Sequence, residues 1–305
     1  MIEVKDVRKS YGDVAALGGI SFTVREGEIF GFLGPNGAGK TTAISIISGL
    51  LLADSGTVRV ADMDIRKDSR RIRKIQGVVP QEIALYEELT GRENLHFWGS
   101  LYGLVGGNLR GAADRVLELV GLSERANDPV RTYSGGMKRR INLCVGLMHR
   151  PRILLLDEPT LGIDPQARLN ILDIIRGEVS GGTTVIYTTH YLEEAENLCD
   201  RIAIIDHGQI LAEGTLQQLT QLVGEEDIVM VTGNFTDEQV RPLLSEVKVE
   251  HLEDGAFRAL VPDSGAIGKL LGRFFSAGVH VGEVSIKEPS LESVFIKLTG
   301  RELRD

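Results

Sequence analysis

From residue 1 to about 215, short β-branched apolar runs alternate with segments of helical period, which predicts an α/β domain on a largely parallel sheet. Residues 18–24, 28–33, 58–61 and 77–79 read as strands and 40–49 as a helix. Residues 91–103 and 110–120 then have helical periodicity with no strand between them, so a helical insertion over about 86–150 is expected to project from the sheet. A helix at 136–149, strands at 152–156 and 183–188, helices at 166–178 and 191–198, and an antiparallel pair at 201–206 and 209–212 complete a domain placed at 1–220.

Beyond residue 225 the rhythm changes. A strand at 228–232, a helix at 237–245, a hairpin of 247–252 with 257–261, a helix at 266–276 and a strand at 279–286 make a β-α-β-β-α-β order. That order predicts a small ferredoxin-like α+β accessory domain at 225–305. A last helix at 291–300 follows Pro289.

Composition narrows the class of partner. Lys+Arg of 34 against Asp+Glu of 43 leaves a net charge of −9, which repels a polyphosphate backbone. Nucleic acid is therefore not expected as a partner. No apolar run approaches the roughly 18 residues needed to span a bilayer, and the polar start is not a signal peptide, so a cytosolic chain is expected. Cys144 and Cys199 stand alone in helix-like segments and read as small core residues. Lys138-Arg139-Arg140 reads as a solvated or locally paired face, and Tyr86, Phe97, Trp98 and Tyr102 as packing in the helical insertion.

The chemistry gathers at three apolar runs. Gly34-Pro35-Asn36-Gly37-Ala38-Gly39-Lys40-Thr41 satisfies G-x-x-x-x-G-K-[ST] between a strand and a helix, where backbone N–H groups wrap a phosphate. Lys40 can reach the β- and γ-phosphates, and the Thr41 hydroxyl can ligate magnesium. The run 152–156 ends in Asp157-Glu158: Asp157 supplies a second magnesium anchor, and Glu158 a carboxylate able to orient or deprotonate water. His190 ends another strand; such a histidine is commonly structural, but it shares the carboxyl ends of parallel strands with Gly34 and Asp157.

A second anion-type turn, Ser134-Gly135-Gly136, opens a helix about a hundred residues later. With Gln81 in Val78-Val79-Pro80-Gln81, Asp157-Glu158-Pro159-Thr160, Asp164 and His190, the motif order resembles the ATP-binding subunits of ABC transporters over residues 1 to about 215. The ending from Glu288-Pro289-Ser290 to Gly300 is similar to ATPases serving ABC-2-type exporters, the daunorubicin drug-resistance group in particular. The resemblance implies ATP and Mg2+ as ligands, with Gly34 to Lys40, Thr41 and Thr42 around the phosphates and Tyr11 stacked on adenine. It implies Gln81 as a magnesium contact that senses a membrane partner, Glu158 as catalytic base and His190 as a γ-phosphate contact.

It further implies that Ser134, Gly135 and Gly136 bind ATP held by a second copy, with Asp164 in the loop joining the copies. A head-to-tail homodimer on the cytoplasmic face of the membrane, bound to a separate permease, is thus expected. Leu85, Tyr86 and Leu89 are expected near the permease. The alternative is a soluble ABC ATPase acting on nucleic acid or ribosomes. Three departures stand out: Tyr133 and Met137 replace the family's usual leucine and glutamine, and Leu161-Gly162-Ile163 precedes Asp164 in place of the commoner loop.

Overall fold

The computed structural model describes residues 1–222, 227–245, 247–262, 264–287 and 290–300. The chain divides into two compact units, Met1–Gly214 and a second one from Thr215 on.

In the first unit the chain runs β1 (Ile2–Tyr11), β2 (Val14–Val24), β3 (Ile29–Leu33), α1 (Lys40–Ile47), β4 (Ser55–Val60), β5 (Met63–Asp64), α2 (Ser69–Arg73) and β6 (Gln76–Val79). Then come α3 (Gly91–Leu101), α4 (Gly106–Leu119), α5 (Gly135–Leu147), β7 (Ile153–Asp157), α6 (Pro165–Ser180), β8 (Thr184–Thr189), α7 (Leu192–Leu198), β9 (Arg201–Asp206) and β10 (Gln209–Gly214). The strands form two sheets. A six-stranded sheet has the order β10-β9-β3-β8-β7-β6, parallel except for β10, and a four-stranded antiparallel sheet has the order β2-β1-β4-β5.

The antiparallel sheet was only half legible: 2–11 was not expected as a strand. Its apolar alternation is interrupted by a register shift between Val4 and Val7, where Asp6 takes φ 46°, so Ile2, Val4 and Val7 face the core without a strict period of two. The core lies between the sheets. Helix α1 touches β7 of one and β2 and β4 of the other, and Phe22 of β2 stacks on Phe30 and meets Phe32 edge-on, with centroids 5.3 and 4.8 Å away. Helix α3 starts at a capping box made by Thr90 and Glu93.

The second unit opens with α8 (Leu216–Gln221), capped by Thr215. It continues with β11 (Asp227–Asn234), α9 (Asp237–Val240), β12 (Lys248–Glu253), β13 (Ala256–Val261), α10 (Ser264–Ser276), β14 (His280–Lys287) and α11 (Leu291–Thr299). Its sheet has the order β12-β13-β11-β14 with every neighbour antiparallel. The helix expected at 237–245 becomes 3₁₀ from Arg241, where Pro242 removes a backbone donor. Phe257 stacks on Phe274 of α10 at 5.2 Å, at the centre of this unit's own core. Glu288 and Pro289 of the expected exporter-like ending lie outside the described residues.

Candidate functional site

The parallel register brings the three motif-bearing strand ends together. Leu33 pairs with Thr189, and Asp157 with Thr188, so the loops after β3, β7 and β8 open on one edge of the sheet. The phosphate loop wraps a tight path into α1. Gly39 has φ 106°, and a Cβ there would lie 2.6 Å from the Ala16 carbonyl oxygen, so only glycine fits without strain. Together with Ala16, Gln81 and Glu158, residues Pro35 to Thr42 line a cleft of about 290 Å³.

Lys40, buried, donates to the carbonyls of Gly34 (2.6 Å) and Pro35 (3.1 Å) and pairs with Glu158 Oε1 at 2.9 Å. Glu158 Oε2 lies 3.2 Å from His190 Nδ1. The Glu158 main chain takes φ 45°, a conformation that costs a non-glycine residue on the order of 1 kcal/mol. Its N–H is held by Thr188 Oγ1 at 2.9 Å, and that hydroxyl donates to Asp157 Oδ1 at 2.7 Å. Thr41 hydrogen-bonds the same carboxylate.

The two adjacent carboxylates sit in opposite electrostatic settings. Burial pushes the Asp157 carboxyl above the ordinary aspartate range, despite its bonds to Thr188 and Thr41. Burial also acts against Glu158, but the hydrogen bond from His190 and the Lys40 ammonium outweigh it and hold this carboxyl below the ordinary glutamate range. Glu158 therefore stabilises the fold above its unfolded pKa, and that contribution is lost as pH falls through the folded one. Ionised Asp157 does the reverse. Asp157→Asn is expected to raise the melting temperature of the nucleotide-free protein at pH 7, with the gain shrinking as pH falls to where aspartate is protonated in both states. Thermal scans across that range, showing instead a lower melting temperature at pH 7, would contradict this assignment.

Behind the strand ends lies a buried network that single motifs did not reveal. Tyr187 and Thr189 hydroxyls both donate to Glu194 Oε2 at 2.7 Å, and Arg168 of α6 approaches Glu194 Oε1 at 3.5 Å while lying over the Tyr191 ring. It joins the segment after His190 to the helix that Asp164 caps through its bond to Ala167 N.

Ser134 caps α5, its Oγ accepting from Met137 N at 3.3 Å, and Gly135 and Gly136 form the helix's first turn. A Cβ on Gly136 would stand 2.9 Å from Ala167 Cβ, so the turn packs tightly on the start of α6. None of these three residues lines the cleft of the phosphate loop. The Tyr133 departure has a physical account: its buried ring sits over Gly91, where a Cβ would lie 2.5 Å from the hydroxyl, and that hydroxyl donates to Arg125 O at 2.6 Å. Nothing in the structure explains Met137. Tyr11 stands exposed at the end of β1 and is not among the cleft's lining residues.

Of the basic run, expected to be solvated or locally paired, Lys138 is paired and Arg139 departs by being buried. Arg139 is buried and donates to the carbonyls of Gln81 and Leu161, while Lys138 pairs with Glu87 and Arg140 donates to Val120 O. Tyr86, Phe97 and Trp98 pack edge to face, whereas Tyr102 stacks on His149. Both cysteines are buried with thiols pushed up by burial.

The oxygen donors suit a magnesium–nucleotide pair. Thr41, Asp157 and Gln81 offer a hydroxyl, one carboxylate and an amide, the small set that Mg2+ uses when phosphates complete its shell. Among the described residues no cluster of three His, Cys, Asp or Glu could hold a metal by itself.

A phosphate loop, a strand-end carboxylate pair and a parallel sheet capped by an antiparallel one define a P-loop nucleoside-triphosphatase domain. A family profile described as ABC transporter matches residues 17–161. The chain belongs to the ATP-binding proteins of the ABC transporter family, and its enzymatic activity is ATP hydrolysis. It is 45% identical over the whole of both chains to the linearmycin resistance ATP-binding protein LnrL of Bacillus subtilis (strain 168). It is 39% identical to the daunorubicin resistance ATP-binding protein DrrA3 of Streptomyces coeruleorubidus, over 99% of this chain and 97% of the other. Among solved structures, the dimeric post-hydrolysis state of the cassette MJ0796 with ADP and Pi matches 70% of this chain and 98% of that one, with a TM-score of 0.66 and 28% identity.

Proposed function

We propose that two copies of this chain enclose two MgATP molecules head to tail and drive export of drug- or lipid-like molecules through a separate ABC-2-type permease at the cytoplasmic face of the membrane. The observation that carries the dimer is the separation of the two anion-binding turns. The cleft lined by the phosphate loop omits Ser134, Gly135 and Gly136, yet these present free N–H groups at the start of a 13-residue helix. Their ligand is then a phosphate held by another copy.

Within each site, Lys40 exchanges its Glu158 partner for the β- and γ-phosphates, which frees the Glu158 carboxylate to take a proton from the attacking water. His190 holds that carboxylate in place through Nδ1 on its opposite oxygen, and its ring is also the γ-phosphate contact. Thr41, Gln81 and Asp157 would hold magnesium, which supplies charge neutralisation to the transferring phosphoryl group. The bond between the γ-phosphorus and the bridging oxygen breaks as the water oxygen bonds to phosphorus. Loss of the γ-phosphate removes contacts bridging the copies, so the dimer reopens.

Exposed apolar side chains are in keeping with a permease partner: Tyr86 is 49% exposed between the half-buried Leu85 and Leu89 in sequence, and Leu50, Leu52 and Leu101 are each exposed. No helix among the described residues is long and apolar enough to cross a membrane. The names of LnrL and DrrA3 support drug-like cargo. The test is detergent extraction of membranes from the source cells: this chain is expected to co-purify with a multi-spanning protein whose reconstitution stimulates ATP turnover. Recovery wholly apart from any membrane protein would count against the transport reading. The order β12-β13-β11-β14 of the second unit supports the ferredoxin-like reading of that domain.

A further inference from the structure

The least expected group in the first unit is the guanidinium of Arg139. It is 6% exposed, yet it forms no ion pair among the described residues. One terminal nitrogen donates to Gln81 O and the other to Leu161 O at 3.3 Å, while Nε is buried with no partner. A buried cation is retained against an incomplete set of bonds, and both bonds go to main-chain atoms of loops at the cleft.

Those loops matter for different reasons. Gln81 lines the cleft, and Leu161 lies midway between Glu158 and Asp164, with its N–H returning to Glu158 O at 3.2 Å. Arg139 itself lies on α5, the helix that Ser134 opens. Residues flanking Gln81 are also fastened to α5: Asn142 donates to Pro80 O and accepts from Ala84 N. Arg139 alone of these side chains reaches the loop after Glu158 as well. A planar fork holds two carbonyls at a spacing and angle fixed by the guanidinium plane, which the freely rotating ammonium of a lysine does not fix.

We propose that Arg139 is a positioning residue: it ties the Gln81 segment and the Glu158–Asp164 loop to the Ser134 helix, so that turnover depends on where the Gln81 segment sits. This rests on the reading of Gln81 and Glu158 as parts of the ATP site. Displacement of the Gln81 segment then shifts the loop that carries the base and the Ser134 turn together.

The test is a double-mutant cycle on the full-length chain, with ATP turnover as the readout. Arg139→Met is expected to lower kcat about 10-fold or more and to change KM less than about twofold, since it moves groups that act in the chemical step and leaves the phosphate loop intact. Arg139→Lys, which keeps the charge without the fork, is expected to recover only part of the loss. In a Gln81→Ala background, Arg139→Met is expected to cost clearly less than it does in wild type, because part of its effect is the placing of the Gln81 amide, which alanine lacks. A generic structural role would multiply the two losses, and that result would overturn the proposal, as would an Arg139→Met kcat within about twofold of wild type. If Arg139→Met fails to fold, Arg139→Lys is put through the same cycle and judged by non-additivity alone. A wild-type chain without magnesium-dependent turnover would instead reject the underlying reading of the site.

Discussion

Glu158→Gln is expected to lower ATP turnover about 100-fold or more while leaving ATP affinity nearly unchanged, and to trap a closed dimer in the presence of MgATP. The magnitude is that of removing a positioned general base. Glutamine preserves the volume and one acceptor for Lys40 or His190, but it cannot accept the proton of water. Because Glu158 lies 2.9 Å from Lys40 and 3.2 Å from His190, loss of its charge also loosens its hold on these partners and leaves them freer to turn towards phosphate, so binding is not weakened. Single-turnover hydrolysis and size-exclusion chromatography with ATP read the two effects separately. Turnover within a few fold of wild type would remove Glu158 from the role of base.

Ser134→Arg is the second large effect. It is expected to abolish ATP-driven dimerisation and to lower turnover about 100-fold, while the isolated chain binds ATP as before, since Ser134 is absent from its own cleft. Arginine also removes the helix cap, which costs about 1 kcal/mol, so a control is needed. Ser134→Asp keeps a capping oxygen but places negative charge where a phosphate belongs. It should fail like arginine in turnover and dimerisation, yet melt like wild type. A Ser134→Asp chain with normal turnover would show that the turn contacts no phosphate.

The parts of the site legible in the sequence are those made by contiguous residues. The phosphate loop, the Asp157–Glu158 strand end and the Ser134 turn each carry their chemistry within a few positions, because a strand end or a helix start already aims the backbone. What escaped depended on distant partners. Arg139 reads as one of three surface cations until Gln81 and Leu161 are folded onto it, and Thr188 is only a strand threonine until register sets it beside Asp157. The first strand was hidden by its own irregularity at Asp6. Tyr133 looked like an unexplained departure because the space for its hydroxyl is made by Gly91 and the Arg125 carbonyl, 42 and 8 residues away. The chain also offers two glycine-rich anion-type turns; their assignment to two copies came from the resemblance, and the cleft lining, which omits Ser134, Gly135 and Gly136, is consistent with it.

The most direct test of the two-copy site mixes two inactive chains, Lys40→Ala and Ser134→Arg. Each homodimer lacks a complete site, but a head-to-tail heterodimer joins the phosphate loop of the Ser134→Arg chain to the Ser134 turn of the Lys40→Ala chain, and so restores one site in two. Random mixing should recover up to about a quarter of wild-type ATP turnover, half of the dimers being mixed and each carrying one working site. No recovery on mixing, with both chains folded and dimers known to exchange, would contradict a site built from two copies.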